Sequence, residues 1–168
     1  PILFNFLADH AAARDAVHSK VSVEMLQQLQ VVPLKSAAED KAVFLRRPDL
    51  GRELSAESVQ IVQSSFKKGA QVQIVVGDGL SSTAINTNLP SLLPALISAL
   101  TRENISLGTT AFVENSRVIA GDEIGKLVNA EVVLMLVGER PGLKSAESMG
   151  CYALYLKQKS ITEANRSM

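Results

Sequence analysis

The chain has 168 residues, of which 46% are hydrophobic and 20% charged, and its 17 basic side chains balance its 17 acidic ones. This composition predicts one globular domain with a sizeable core, and the zero formal charge removes the usual electrostatic reason to expect nucleic acid or an anionic membrane as partner. Cys151 is the single cysteine, so an intrachain disulfide is excluded and a reducing, cytoplasmic compartment fits.

The first 41 residues are predicted to form a helical segment ahead of the main domain. Apolar residues recur at helical spacing over residues 1–17, which predicts a helix there. Residues 21–42 predict a short helix that ends near Pro33, because proline cannot continue a helix. The chain enters its first helix without a start methionine or a cap, so we expect it to be a trimmed piece of a longer protein.

Strands and helices alternate from residue 42 to residue 168, which predicts a single α/β domain. Strands are predicted at residues 42–45, 70–77, 109–113, 131–137 and 149–156, and helices at residues 55–68, 90–101 and 122–128. Pro90 suits the first turn of its helix. The longest strands are near-continuous apolar runs, as expected when helices cover both faces of a sheet. The pattern therefore predicts a doubly wound, mostly parallel sheet of the Rossmann-like kind.

Two polar loops follow predicted strands, at the edge of the sheet where ligands bind in such folds. In the first, GDGLSS over residues 77–82, Gly79 lets backbone approach a ligand and Ser81 begins a helix whose N–H groups attract polar groups. In the second, GERPG over residues 138–142, Pro141 fixes φ beside two opposite charges. A plain turn with a helix cap is the alternative for both loops, and neither matches a dinucleotide or Walker motif.

Other polar residues give weaker indications of chemistry. His10 and His18 lack further ligands at metal spacing, so solvated helix positions are favoured over a metal site. Cys151 lies in an alternating strand and is interpreted as a packed thiol rather than a nucleophile. The segment RRPDLGREL, residues 46–54, is either a solvated, salt-bridged loop or an interface. The residues therefore indicate a binding domain without a complete catalytic set.

Five segments taken together resemble the small subunit of ethanolamine ammonia-lyase. They are FLADHAAARDAV, RRPDLGREL, VQIVVGDGLSSTAI, RVIAGDEIG and VVLMLVGERPGLKSAESMGCYALY, and the likeness is weakest over residues 19–40. The resemblance implies an adenosylcobalamin enzyme that converts ethanolamine to acetaldehyde and ammonia. It also implies a hetero-oligomer in which this α/β domain encloses the cofactor against a TIM-barrel large subunit, within a bacterial microcompartment. Residues 42–168 would be the cobalamin-binding domain, truncated at both ends relative to the family.

The resemblance also implies which residues touch the cofactor. Family contacts fall on Val118, on Glu139 and on a cysteine that follows an E-A-x-R segment, where this chain has Met168. Further residues of the two loops are candidates for cofactor or interface contact: Asp78, Gly79, Ser81, Gly138 and Arg140. The alternatives are a stand-alone domain that binds a cobalamin-like small molecule and an independent enzyme that acts on a phosphorylated metabolite through the GDGLSS loop.

Overall fold

The computed structural model describes residues 19–141, 147–157 and 166–168. The helices are α1 (Val23–Gln28), α2 (Lys41–Arg46), α3 (Ala56–Ser65), α4 (Ser82–Arg102) and α5 (Ile119–Leu127), with a 3₁₀ turn at Leu50–Arg52. The strands are β1 (Val32–Lys35), β2 (Val72–Gly77), β3 (Ala111–Glu114), β4 (Val132–Gly138) and β5 (Met149–Tyr155). The predicted helix over residues 1–17 lies outside the described residues, as do His10 and His18.

The strands form one sheet in the order β1-β3-β2-β4-β5, in which only β5 runs antiparallel to its neighbour. Every residue of the central strand β2 is buried, because its two faces serve two cores. Val75 packs with residues of α3 and α5 on one face, and Ile74 packs with residues of α1 and α4 on the other. This arrangement confirms the predicted doubly wound, mostly parallel α/β fold.

The predicted strand at residues 42–45 is wrong, because these residues lie in helix α2. The Asp40 side chain accepts a hydrogen bond from the Val43 N–H at 2.7 Å and so caps the helix start. Phe44 is the one buried residue of this helix. The N-cap and the burial of Phe44 stabilise a helix here, and they outweigh the tendency of a short apolar run to form a strand.

The prediction for residues 21–42 is also wrong in part. Helix α1 ends at Gln28, and Pro33 lies inside strand β1 rather than at a helix end. A proline is tolerated there because β1 is an edge strand, where an N–H that points away from the sheet is not needed. Strand β1 lies before residue 42 and pairs with β3 of the α/β sheet. The boundary between an N-terminal helical segment and the α/β domain near residue 42 stays a prediction.

Two helices begin earlier than predicted. Helix α4 begins at Ser82, so that Pro90 and Pro94 lie inside it rather than in its first turn. The buried side chains of Ile85, Leu89 and Leu93 pack this helix on the sheet, and such packing outweighs the local cost of proline. Helix α5 begins at Ile119, three residues before its predicted start. In the described residues, every helix is too short or too polar to span a membrane.

Candidate functional site

The two predicted loops lie against each other at the carboxyl ends of β2 and β4. The Leu80 N–H donates to the Gly138 carbonyl oxygen at 3.0 Å. A side chain at Gly79 would collide with that same carbonyl, and a side chain at Gly138 would collide with the carbonyl oxygens of Asp78 and Ser81. Gly79 also has a φ of +51°, a conformation that favours glycine. These glycines therefore permit contact between the loops, while their contact with a ligand stays a prediction.

The Asp78 side chain is buried and connects the loop after β2 with helix α2 and with the turn after β3. Its carboxylate accepts from the Lys41 ammonium at 3.0 Å and from the Ser116 N–H at 3.2 Å, and Lys41 also donates to the Gly79 carbonyl at 3.0 Å. Burial raises the pKa of the Asp78 carboxyl above its ordinary value, and the Lys41 charge opposes that shift. Asp78 therefore fixes the loop after β2 to α2 and to the turn after β3.

Ser81 is fully buried and caps helix α4. Its hydroxyl oxygen accepts a hydrogen bond from the Ala84 N–H at 3.1 Å. This is the geometry of an ordinary N-cap, which satisfies one of the free N–H groups of the first helical turn. The plain-cap interpretation of this serine is thus supported by the structure, and ligand contact at Ser81 stays a prediction.

Two adjoining cavities open beside the paired loops. The large cavity, about 850 Å³, lies between the 3₁₀ turn, the start of α5, strand β5 and residues 166–168. The small cavity, about 290 Å³, lies above the two loops. Arg117, Val118 and Tyr152 line both cavities, so the two are neighbours. Val118 thus lies at their junction, Glu139 lines the small cavity and Met168 lines the large one, which brings the three family-implied contacts to one region.

Glu139 forms two hydrogen bonds with residues of strand β5 and of the segment just before it. The Tyr152 hydroxyl donates to the Glu139 Oε1 at 2.6 Å, and the Glu139 N–H donates to the Ser148 carbonyl at 2.9 Å. The hydrogen bond to the Glu139 carboxylate, together with burial and the nearby negative charge, raises the pKa of Tyr152. A side chain at Gly150 would collide with the Glu139 carboxylate, so Gly150 provides the room for this arrangement.

Residues 166–168 are attached to the fold by an ion pair and a backbone bridge. Arg166 binds the carboxylate of Asp122, in the first turn of α5, and both side chains are at least nine-tenths buried. The N–H of Ala153 donates to the Ser167 carbonyl at 2.8 Å and the N–H of Ser167 donates to the Ala153 carbonyl at 3.0 Å. These contacts place Met168 at the large cavity with its side chain exposed.

Arginine side chains are prominent among the described residues that line the large cavity, and one of them, Arg166, is paired with Asp122. The lining includes the guanidinium groups of Arg52, Arg117 and Arg166 and one carboxylate, Asp49. Asp49 accepts from Arg47 at 2.7 Å and 3.0 Å in an exposed pair, as the salt-bridged interpretation of this segment expects. Arg140 lines the small cavity, and Arg117 lies 5.5 Å from the centre of the Phe44 ring.

The remaining candidates do not add a catalytic group. Cys151 is exposed, so its prediction as a packed thiol is wrong; β5 is an edge strand and buries only Leu154 fully. Desolvation raises the pKa of the Cys151 thiol, which disfavours the nucleophilic thiolate. Within residues 19–141, 147–157 and 166–168, no three histidine, cysteine or acidic side chains are grouped to hold a metal ion.

Tyr152 is one of the site residues that the sequence pattern did not single out; Lys41, Arg117 and Arg166 are others. The strand of Tyr152 was predicted, but the alternation of a strand does not give its offset against the neighbouring strand. In the observed register Tyr152 lies opposite Met135 and Met149 lies opposite Gly138. A tyrosine two residues beyond a glycine, in a strand that follows a polar loop, was the only available signal.

The fold and the site define a doubly wound α/β domain with two adjoining cavities at the carboxyl ends of its strands. Comparison with known proteins is more specific. The model of the ethanolamine ammonia-lyase light chain (EutC) family matches residues 2–168, and the chain belongs to that family.

Curated relatives agree with this assignment. The chain is 42% identical to the ethanolamine ammonia-lyase small subunit of Listeria monocytogenes serotype 4a over 166 residues, which are 99% of this chain and 57% of the relative. It is 44% identical to the small subunit of Clostridium perfringens and 45% identical to that of Fusobacterium nucleatum, in each case over 96% of this chain and 55% of the relative. The chain thus spans little more than half the length of these relatives.

The contact between the loops predicts an unequal effect of two glycine substitutions. Gly79→Ala should lower the free energy of unfolding by about 3 kcal/mol or more, because strain at positive φ adds to collision with backbone. Gly69 has a φ of +71° with nothing within 4 Å of an added Cβ, so Gly69→Ala should cost only about 1 kcal/mol. Urea unfolding of both variants checks this, and equal losses would contradict the loop packing.

The hydrogen bond between Tyr152 and Glu139 predicts how the tyrosines titrate. The chain has two tyrosines, so a Tyr155→Phe background isolates Tyr152 in an ultraviolet pH titration. Glu139→Ala should lower the pKa of Tyr152 toward its ordinary value, because the carboxylate that accepts its hydrogen bond is gone. The stabilising effect of this bond is complete below the ordinary tyrosine pKa and is lost as pH rises through the raised one. An unchanged titration curve would show that the bond is absent in solution.

Proposed function

We propose that this chain forms one wall of the adenosylcobalamin site of an ethanolamine ammonia-lyase. In this proposal it is part of the small subunit and closes the cofactor against a TIM-barrel large subunit, in a complex that converts ethanolamine to acetaldehyde and ammonia. The location would be a bacterial microcompartment, as the resemblance implies. The observation that supports the proposal is the grouping of Val118, Glu139 and Met168 around two adjoining cavities.

The chemistry of the cavity lining fits a cobalamin. Such a cofactor has a rim of amide groups and a nucleotide tail with a phosphate. The carboxylate of Glu139 is an acceptor for amide N–H or ribose O–H groups, and Val118 and Ile119 give apolar contact. The guanidinium group of Arg117, which lines both cavities, suits a phosphate. When bound, adenosylcobalamin supplies the radical chemistry, and the protein supplies binding and orientation.

The chain's own residues would then bind, orient and shield. Glu139 keeps one carboxylate oxygen on Tyr152, and the other would be the oxygen that binds the cofactor. Arg140 would either meet the phosphate or pair across the interface with the large subunit. Met168 replaces the family cysteine, and the backbone bridge of Ser167 to Ala153 supports a contact through the main chain at this position. No general acid or base is assigned to this chain.

Co-purification of this chain with a large subunit tests the proposal. Acetaldehyde release from ethanolamine and adenosylcobalamin is expected from the mixture and from neither chain alone. In the complex, Glu139→Ala should weaken adenosylcobalamin binding about tenfold to a hundredfold, the effect of losing a hydrogen bond to a charged group.

The matched control for this substitution is Glu103→Ala. Glu103 is an exposed carboxylate at the carboxyl end of α4, away from both cavities, so binding should be unchanged. Failure of the chains to form a complex would overturn the proposed partnership. Equal binding by the Glu139→Ala and Glu103→Ala complexes would overturn the assigned role of Glu139, and binding by this chain alone would favour a stand-alone binding domain.

A further inference from the structure

We propose that Tyr152 is the positioning residue of this site. Its hydroxyl holds the Glu139 carboxylate in one orientation, so that the cofactor-binding oxygen faces the cavities before the cofactor arrives. This inference rests on the proposed function, since it assumes that Glu139 contacts adenosylcobalamin.

The strand register explains how two side chains distant along the sheet meet. Glu139 continues β4 and pairs with Ser148 through its backbone, whereas Tyr152 lies opposite Met135, four residues back along β4. Residues 148, 150 and 152 share one face of β5, because side chains alternate along a strand. The Glu139 side chain therefore runs along this face, over Gly150, to reach the Tyr152 hydroxyl at 2.6 Å.

Gly150 shows that this path is specific. An added Cβ at Gly150 would collide with the Glu139 carboxylate and would lie 2.8 Å from the Tyr152 ring. Glycine thus leaves the space that the carboxylate occupies. A long acidic side chain with several rotatable bonds is thereby held at both its backbone and its tip.

The position of Tyr152 links this contact to the ligand space. Tyr152 lines both the large and the small cavity, together with Arg117 and Val118. Tyr152 therefore borders both cavities while its hydroxyl contacts Glu139. A side chain that is already ordered costs less to immobilise on binding, so a preset carboxylate strengthens affinity. A tyrosine hydroxyl is protonated at neutral pH and so can donate this hydrogen bond there.

The test is a spectroscopic titration of adenosylcobalamin into the complex of this chain with a large subunit. Tyr152→Phe removes only the hydroxyl and should weaken binding about tenfold, as for a hydrogen bond to a charged group. Tyr155→Phe is the matched control, because Tyr155 lies three residues along the same strand and lines neither cavity. Its binding should equal that of the unmodified complex.

A double-mutant cycle separates positioning from a general structural effect. In a Glu139→Ala background, Tyr152→Phe should change the dissociation constant less than about twofold, because nothing remains for the hydroxyl to hold. Gly150→Ala provides a second variant that displaces the carboxylate and keeps the hydroxyl, and it should also weaken binding about tenfold.

The outcomes are distinguishable. Unchanged binding by Tyr152→Phe, or additive losses in the double variant, would overturn the positioning role and leave the proposed function intact. Absence of adenosylcobalamin binding by the unmodified complex would overturn both. If thermal unfolding shows that Tyr152→Phe does not fold, Gly150→Ala becomes the test variant. Unchanged affinity of the Gly150→Ala complex for adenosylcobalamin would then overturn the positioning role.

Discussion

The carboxylate of Asp78, buried at the end of the central strand, accepts hydrogen bonds from Lys41 of α2 and from the backbone of Ser116 after β3. A buried carboxylate is costly unless it is paired, and loss of one partner of such a pair typically costs about 3–5 kcal/mol. This interaction positions two parts of the site, the turn after β3 and the pair of loops after β2 and β4. Ser116 is two residues from Val118, and Gly79, next to Asp78, packs on Gly138, next to Glu139. The buried carboxylate thereby ties together the loops that carry Val118 and Glu139, two of the three residues that the family resemblance assigns to the cofactor.

The wall of the cavities is completed from a different part of the chain. Asp122 of α5 binds Arg166, and Ser167 pairs with Ala153 of β5, so that Met168 reaches the large cavity. Strand β5 therefore has three roles: it closes the edge of the sheet, anchors residues 166–168 and supplies Tyr152 to Glu139. All three roles belong to the one antiparallel strand of an otherwise parallel sheet.

Much of the fold could be predicted from the sequence, because buried strands and helix caps are local signals. The apolar run of β2 and the serine caps at Ser55 and Ser81 are examples. The prediction failed where tertiary packing outweighs a local rule: a short apolar run became helix α2, and two prolines lie within α4. The proximity of the two polar loops was predictable from the parallel sheet, whereas the partner of Glu139 was not, since it depends on the offset between β4 and β5. Resemblance to the family, rather than residue patterns, supplied Val118 and Met168.

We propose that these adjoining cavities form the small-subunit half of a cobalamin site, and a structure of the complex between this chain, a large subunit and adenosylcobalamin tests this most directly. We expect cobalamin density in contact with Val118 and Met168. One carboxylate oxygen of Glu139 should lie within hydrogen-bond distance of the cofactor, and the other should accept from the Tyr152 hydroxyl. Cofactor density that lies wholly within the large subunit, away from the carboxyl ends of β2 and β4, would contradict this proposal.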